Sequence, residues 1–482
     1  MDLSPSVLLK LLVPNLPFLA KTTIAHSLWM SSTSSKWDLR TELTFRFLQR
    51  MISGEPISLS KQQKGTLNDP GVKGAMWVSK VKFPCPAEDD VRQLLFTVID
   101  ELKTADEQYA RVEAAPLEAE WTGHRANVSK NEPEPAISEK EKYDSLKRET
   151  TSKTTILYFH GGAYYLCDPA LYRAYTSKLS KYTGASVFSV RYRLSPQNPF
   201  PAALLDALTS YLSLLYPPEG APHEPISPSN IVIAGDSAGG NLSAVLLLTI
   251  LHLHRRAPAG STPTVRFNGK DVEVPLPGGV ALNSPWLDQT RCMPSIEGNV
   301  DTDYLPPPSV ERKTKLVRCS IWPADPPRTS VYCEGSALTH LLVSPLLADF
   351  TGAPPIMIGC GQEMLADEDL LFAQRLKRQG VTTVLEYFEA MPHCFGLLLD
   401  GHSATHRFLT GLSTFCKDVV EQPGKVETKA VEVAAKSLKE KKRDFDTLTN
   451  YSDEWVADRM KTEQVDLIKF HSDRQKTAAP ML

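Results

Sequence analysis

The chain has no uninterrupted stretch of about 20 apolar residues near its start, the length a spanning helix needs. The apolar run Val7–Leu19 is broken by Lys10, Pro14 and Pro17. Asp2 stands where a secretory leader would be basic, and no small-residue cleavage site follows, so no leader is expected. Charge imbalance is also missing. A net charge of −3 over 482 residues gives no reason to expect nucleic acid as a partner. The eight cysteines form no CxxC pair and no zinc-like spacing, and the chemistry argued below needs neither a metal nor an organic cofactor. Reduced thiols in an intracellular protein are expected instead, cytoplasmic or associated with the ER membrane. There are no internal repeats. Asn127-Val128-Ser129 and Asn450-Tyr451-Ser452 match a glycosylation pattern that, without a leader, is read as chance.

What is present is a large apolar fraction, 42% of residues, in a pattern that changes along the chain. Residues 1–150 read as a mostly helical lid region ending in a polar linker from about 123. Leu39, Leu43, Phe47 and Ile52 recur near helical spacing with Arg40, Glu42, Arg46 and Arg50 between them. The apolar start of this region is expected to be the first helix of a lid or a segment resting on a membrane surface. From 151 to 420 short β-rich runs alternate with helical ones. They include Ile156–Phe159, Ser186–Val190, Asn230–Ala234, Gly279–Leu282, Ile356–Gly359 and Val384–Phe388. This alternation predicts a mostly parallel central sheet flanked by helices. Residues 260–277 read as a hairpin turning at Asn268-Gly269. The proline-rich stretch 290–345 breaks the alternation and reads as an excursion over the pocket. Residues 421–482 carry 12 Lys/Arg and 12 Asp/Glu. They read as a charged tail, with 431–442 helical or partly disordered.

Ligands on such sheets bind beyond the carboxyl ends of the strands. Gly235-Asp236-Ser237-Ala238-Gly239 lies there, between an apolar strand and a helix-like stretch. A sharp strand-to-helix turn leaves a serine oxygen exposed for nucleophilic attack. Acyl transfer also needs a base, an acid to orient it and donors for the oxyanion. His160-Gly161-Gly162-Ala163 follows the strand Ile156–Phe159. Its Gly161, Gly162 and Ala163 are candidate oxyanion donors together with Ala238. His393, in a loop after the strand ending at Phe388, is the candidate base. The loop after Gly359 offers Glu363, Asp367, Glu368 and Asp369. An orienting acid belongs at the strand end, which favours Glu363. Asp367–Asp369 suit the first turn of a helix, and Asp367 stays as the alternative acid.

Together these motifs resemble the hormone-sensitive-lipase-like branch of the α/β-hydrolase fold. Tyr192-Arg193-Leu194-Ser195-Pro196, Pro199-Phe200-Pro201-Ala202-Ala203 and Ser284-Pro285-Trp286 fit the same branch, over about 154–415. Glu363-Met364-Leu365-Ala366-Asp367-Glu368 matches its Asp-Pro-Leu-x-Asp-Glu motif with glutamate in the acid position. The resemblance implies an α/β-hydrolase fold with a largely helical lid from the N-terminal region and an insertion. It implies a serine esterase for a small hydrophobic ester. A looser similarity to fungal steryl-acetate and secondary-metabolite esterases points to an acetate. The competing expectation is a non-hydrolytic protein on the same fold, binding a ligand or catalysing elimination or cyclisation. Oligomeric state is not readable from the sequence.

Overall fold

The computed structural model describes residues 13–54, 56–312 and 317–477. Ten strands form one sheet: β1 (Met76–Phe83), β2 (Leu117–His124), β3 (Thr155–Phe159), β4 (Ser186–Arg191), β5 (Ile231–Asp236), β8 (Gly279–Asn283), β9 (Ile356–Gly361), β10 (Thr383–Phe388), β11 (Lys429–Val433) and β12 (Glu440–Lys442). A separate hairpin joins β6 (Thr264–Phe267) and β7 (Lys270–Glu273) through Asn268 and Gly269, both at positive φ, as the sequence predicts. The sheet order is β1-β2-β4-β3-β5-β8-β9-β10-β11-β12. Pairings from β4 through β11 are parallel, and those at both edges are antiparallel. This is the predicted α/β-hydrolase architecture.

The central strands are buried on both faces, so their residues alternate between two cores. Leu157, Phe188, Ile233, Leu282 and Ile358 join one, with the helices Ala202–Leu215, Ala238–Arg256 and Ala366–Arg378. Ile156, Val187, Val232, Ala281 and Met357 join the other, with the helices Pro169–Thr183 and Ser403–Glu421. Continuous apolar runs are what a parallel sheet covered on both sides requires. From β3 the chain steps outward to β4, then returns past β3 to β5. The strand order therefore reverses between β3 and β5, and a crevice opens beyond their carboxyl ends.

Three sequence readings need correction. Residues 1–150 are not simply a helical lid, because β1 and β2 extend the sheet from within them. These strands lie at the antiparallel edge, where half-exposed positions carry Lys80, Lys82 and Glu118 and dilute the apolar signal. The polar stretch from 123 is not all linker. Ser138 and Glu141 form a capping box that starts the helix Glu139–Glu149, which buries Tyr143 and Leu146. Residues 431–442 are not helical: β11 and β12 lie there. Val431 and Val433 pair with Glu386 and Phe388, so β-branched residues beside an open sheet edge override the helix-friendly alanines and lysines that follow. Farther along, the tail forms the helix Asp453–Thr477, which buries Val456 and Met460.

The N-terminal pattern does form the helix Leu39–Ile52, capped by the Asp38 carboxylate on Thr41 N–H at 2.7 Å. The helix Leu16–Ser27 precedes it, while residues 7–12 of the apolar run lie outside the described residues. The excursion 290–345 holds only short helical pieces among its described residues, such as Ser295–Gly298 and Pro308–Glu311. Among the described residues no helix is long and apolar enough to cross a membrane.

Candidate active site

β5 ends at Asp236, and Ser237 sits on the turn with φ 53° and ψ −119°. A serine at positive φ is strained, and three backbone hydrogen bonds hold it there. Ser237 N–H donates to Asn283 at 3.0 Å, while the Ser237 carbonyl accepts from Asn241 and Trp286, each at 3.0 Å. The flanking glycines are fixed by crowding. A Cβ on Gly239 would stand 2.0 Å from the Phe159 carbonyl oxygen, and one on Gly235 2.3 Å from that of Gly239. The elbow thus packs directly onto the end of β3.

The loop that carries the candidate oxyanion donors begins at that point. His160 is buried and stacks on Tyr192, with ring centroids 4.3 Å apart. Its Nδ1 lies 2.7 Å from the Gly161 carbonyl, so Nδ1 carries the proton. Burial lowers its pKa to about 4, which keeps the ring neutral. Gly162, Ala163 and Tyr164 follow at positive φ. Among the described residues the N–H groups of Gly162 and Ala163 donate to no other protein group. Ala238 opens the helix Ala238–Arg256, where N–H groups have no intrahelical acceptor. Gly161 must be corrected as a candidate donor. Its N–H is engaged by Asp236 Oδ1 at 3.1 Å and the Tyr172 hydroxyl at 3.2 Å. Asp236 also accepts from the Tyr158 and Tyr172 hydroxyls, at 2.5 and 2.9 Å. This carboxylate therefore ties the oxyanion loop to the elbow.

His393 Nε2 lies 2.9 Å from Ser237 Oγ, and His393 Nδ1 bonds Glu363 Oε2. Glu363 is fully buried at the end of β9. Its other oxygen accepts from the Ser284 hydroxyl at 2.5 Å and Gly361 N–H at 3.1 Å. Its other hydrogen-bond partners, Ser284 and Gly361, are donors, so it acts as acceptor toward Nδ1–H. That leaves Nε2 as the acceptor facing the serine. Burial pulls the His393 pKa down, but the Glu363 charge and hydrogen bond outweigh it. Asp303 and Asp236 add to the rise, and the pKa stands above the ordinary 6.5.

Asp367 does not reach His393. It accepts from Ser295 N–H at 2.8 Å and the Tyr451 hydroxyl at 3.3 Å, on the first turn of the helix Ala366–Arg378. Glu368 accepts from Leu287 N–H at 2.7 Å. Asp367 thus bonds the excursion and the tail, and Glu368 the segment just after β8; neither bonds His393.

Several residues at the site escaped sequence reasoning. Ser284 lay inside a motif noticed for other reasons, so a hydroxyl beside an acid loop was the available signal. Asp303 had none, because it lies in the aperiodic excursion. Its carboxylate accepts from Met364 N–H at 2.8 Å and Tyr304 N–H at 2.6 Å. Around it, Asn299 Nδ2 donates to the Glu363 carbonyl at 2.7 Å and Thr302 Oγ to the Gln362 carbonyl at 2.5 Å. Ser295 Oγ donates to the Met364 carbonyl at 2.7 Å. Residues 295–303 thus form a strap along the backbone of the acid loop. Gln49, from the helix Leu39–Ile52, donates to the carbonyls of Val300 and Asp303. Trp37 Nε1 donates to the Ala390 carbonyl at 2.6 Å, three residues before His393.

A fold of this type, with a serine elbow at the switch point, defines a hydrolase class. Residues 156–397 match the family described as alpha/beta hydrolase fold, half of the chain. An acetyl-hydrolase of Streptomyces hygroscopicus is 32% identical over 241 residues, covering 50% of this chain and 67% of that one. An esterase of Acinetobacter venetianus is 27% identical over 253 residues, covering 52% and 69%. Among solved structures, an EstE5 crystal soaked with p-nitrophenyl butyrate superposes with TM-score 0.51 at 20% identity, covering 78% of this chain and 98% of that one. That likeness bears on the fold alone. The chain belongs to the α/β-hydrolase fold family. By class it is an ester-hydrolysing enzyme.

Proposed function

We propose that the chain hydrolyses a hydrophobic carboxylic ester, an acetate of an apolar alcohol, by two acyl transfers through Ser237, His393 and Glu363. The observation that supports this reading is the hydrogen-bonded line from Ser237 Oγ through His393 to the buried Glu363. Ser237 Oγ attacks the ester carbonyl as His393 Nε2 takes its proton. Glu363 holds the Nδ1–H tautomer and stabilises the imidazolium that forms. The N–H groups of Gly162, Ala163 and Ala238 receive the oxyanion. His393 then gives its proton to the leaving alkoxide. Water, deprotonated by the same nitrogen, attacks the acyl-serine and frees the acid and Ser237.

The preference for acetate draws on the name of the Streptomyces relative. An apolar alcohol suits the rings near the base: Tyr304 lies 6.1 Å from His393 between ring centroids, and Phe45 packs on Tyr304 at 6.0 Å. The test is turnover of p-nitrophenyl esters of rising acyl length by the wild type and Ser237→Ala. The reading expects the acetate to be preferred. It also expects Ser237→Ala to lose about 10⁴- to 10⁶-fold in kcat. Full activity in that variant would end it, and a preference for long acyl chains would remove the acetate assignment alone.

A further inference from the structure

The helices Leu16–Ser27 and Leu39–Ile52 form an antiparallel hairpin. Arg50, near the end of the second, bonds Asn15 at the start of the first at 2.8 Å, and its guanidinium covers Phe18 at 4.9 Å. The two faces of this hairpin differ. The inner face carries Phe45, buried between Trp37 and Tyr304, and Gln49, which grips the strap beside the acid loop. The outer face is apolar and uncovered. Leu16, Ala20, Ile24 and Leu28 recur every fourth residue, so they share one side of the first helix, and all four are exposed. No residue of that helix is buried. At its end Trp29 and Met30 are 70% and 74% exposed, and Leu28 63%. Trp29 stands at φ 59°, a conformation that costs a bulky side chain energy. A large apolar group is thus held in solvent by a strained backbone.

An apolar ridge of this kind, led by an aromatic and rimmed by cations, fits a membrane interface. Lys21 lies on the first helix and Arg50 against its start, both exposed, and Lys436 stands 5.8 Å above the Trp29 ring; Arg40 and Asp38 are exposed at the start of the second helix. Glu42 is buried, where it accepts from Ser31 and Thr33, and Asp38 caps the second helix. The sequence just before the first helix continues the same composition, with Val7, Leu8, Leu9, Leu11 and Leu12 around Lys10. Anionic headgroups attract cations of this arrangement, and tryptophan favours the headgroup level.

We propose that the outer face of the Leu16–Ile52 hairpin docks on a lipid surface carrying anionic headgroups. Docking orients the molecule on the bilayer without spanning it. If the ester hydrolysis proposed above holds, the bilayer is also where the apolar ester is met. Docking itself does not depend on that reading, and its test is a binding measurement.

The full chain is floated with vesicles of phosphatidylcholine alone and with 30% phosphatidylserine. The double variant Trp29→Glu, Met30→Glu and the charge variant Lys21→Glu are run beside it. The expected result is co-flotation of the wild type with the anionic vesicles, reduced at least tenfold in the double variant and several-fold in Lys21→Glu. Turnover of soluble p-nitrophenyl acetate should stay within twofold in both, which separates lost docking from lost folding. A wild type that stays in the soluble fraction with both vesicles overturns the proposal. Equal binding by the double variant also overturns it. Equal binding to neutral and anionic vesicles removes the headgroup charge from it. A wild-type dimer that the double variant dissociates, with no vesicle binding, assigns the face to a second copy of the chain instead.

Discussion

The nucleophile loop and the acid loop meet at the same histidine but are held by different means. Ser237 is fixed by its own sheet: backbone bonds to Asn283, Trp286 and Asn241, and glycines pressed against the end of β3. The loop around Glu363 is fixed from outside. Ser284 and Gly361 hold its carboxylate, while Ser295, Asn299, Thr302 and Asp303 hold its backbone. Gln49 braces that strap from the N-terminal hairpin. The sheet positions Ser237, the proposed nucleophile; the excursion and the N-terminal hairpin position the loop of Glu363, the proposed acid. The nucleophile should therefore tolerate change outside the sheet, whereas the acid should feel the strap.

The sharpest way to break this comparison lies within the acid loop. Glu363→Gln should lower kcat by about 10³- to 10⁴-fold, because the histidine loses the carboxylate that fixes its tautomer. Asp367→Asn should stay within a fewfold of wild type, since Asp367 bonds Ser295 and Tyr451 instead. Steady-state kinetics on p-nitrophenyl acetate would decide, and a reversal of the two effects would exchange their roles.

Next in size is the effect of charge on the base. In the proposed mechanism His393 must be neutral to accept the serine proton, so kcat/KM should rise with pH through its pKa. That pKa is raised, so the acid limb should lie above pH 6.5. Asp303 contributes to the rise from within the strap. Asp303→Asn should therefore move the limb to lower pH while reducing kcat about tenfold. A limb that moves upward, or not at all, would detach Asp303 from the base.

The smallest effects should come from the strap's neutral bonds. Asn299→Ala and Gln49→Ala each remove hydrogen bonds worth about 1 kcal/mol. Thermal melts should shift by a few degrees in each, with kcat falling severalfold more than KM changes. Equal losses in stability and none in kcat would reduce the strap to a structural role.

The same comparison explains what the sequence revealed. The serine elbow, the loop of candidate oxyanion donors and His393 each follow a buried strand, and such strands show as short, largely apolar runs. Their site residues are therefore readable from local order. Glu363 was placed by the same logic, ahead of Asp367. The strap was invisible because its contacts are made by polar side chains reaching backbone groups about 60 residues away. No periodicity marks such a segment. The outer strands β1, β2, β11 and β12 were missed for a related reason: strands near the two ends of the sheet carry charged residues such as Lys80, Lys82, Glu118 and Glu440, which interrupt the apolar pattern. Gly161 looked like a donor from its place in the loop. Only the fold reveals that Asp236 already takes its N–H.

The account's central claim, a single activated serine, is tested most directly by intact-protein mass spectrometry after exposure to an organophosphonate ester. One adduct per chain on Ser237 is predicted, with none in Ser237→Ala and slow labelling in Glu363→Gln. An unlabelled wild type, or an adduct on another residue, would contradict it.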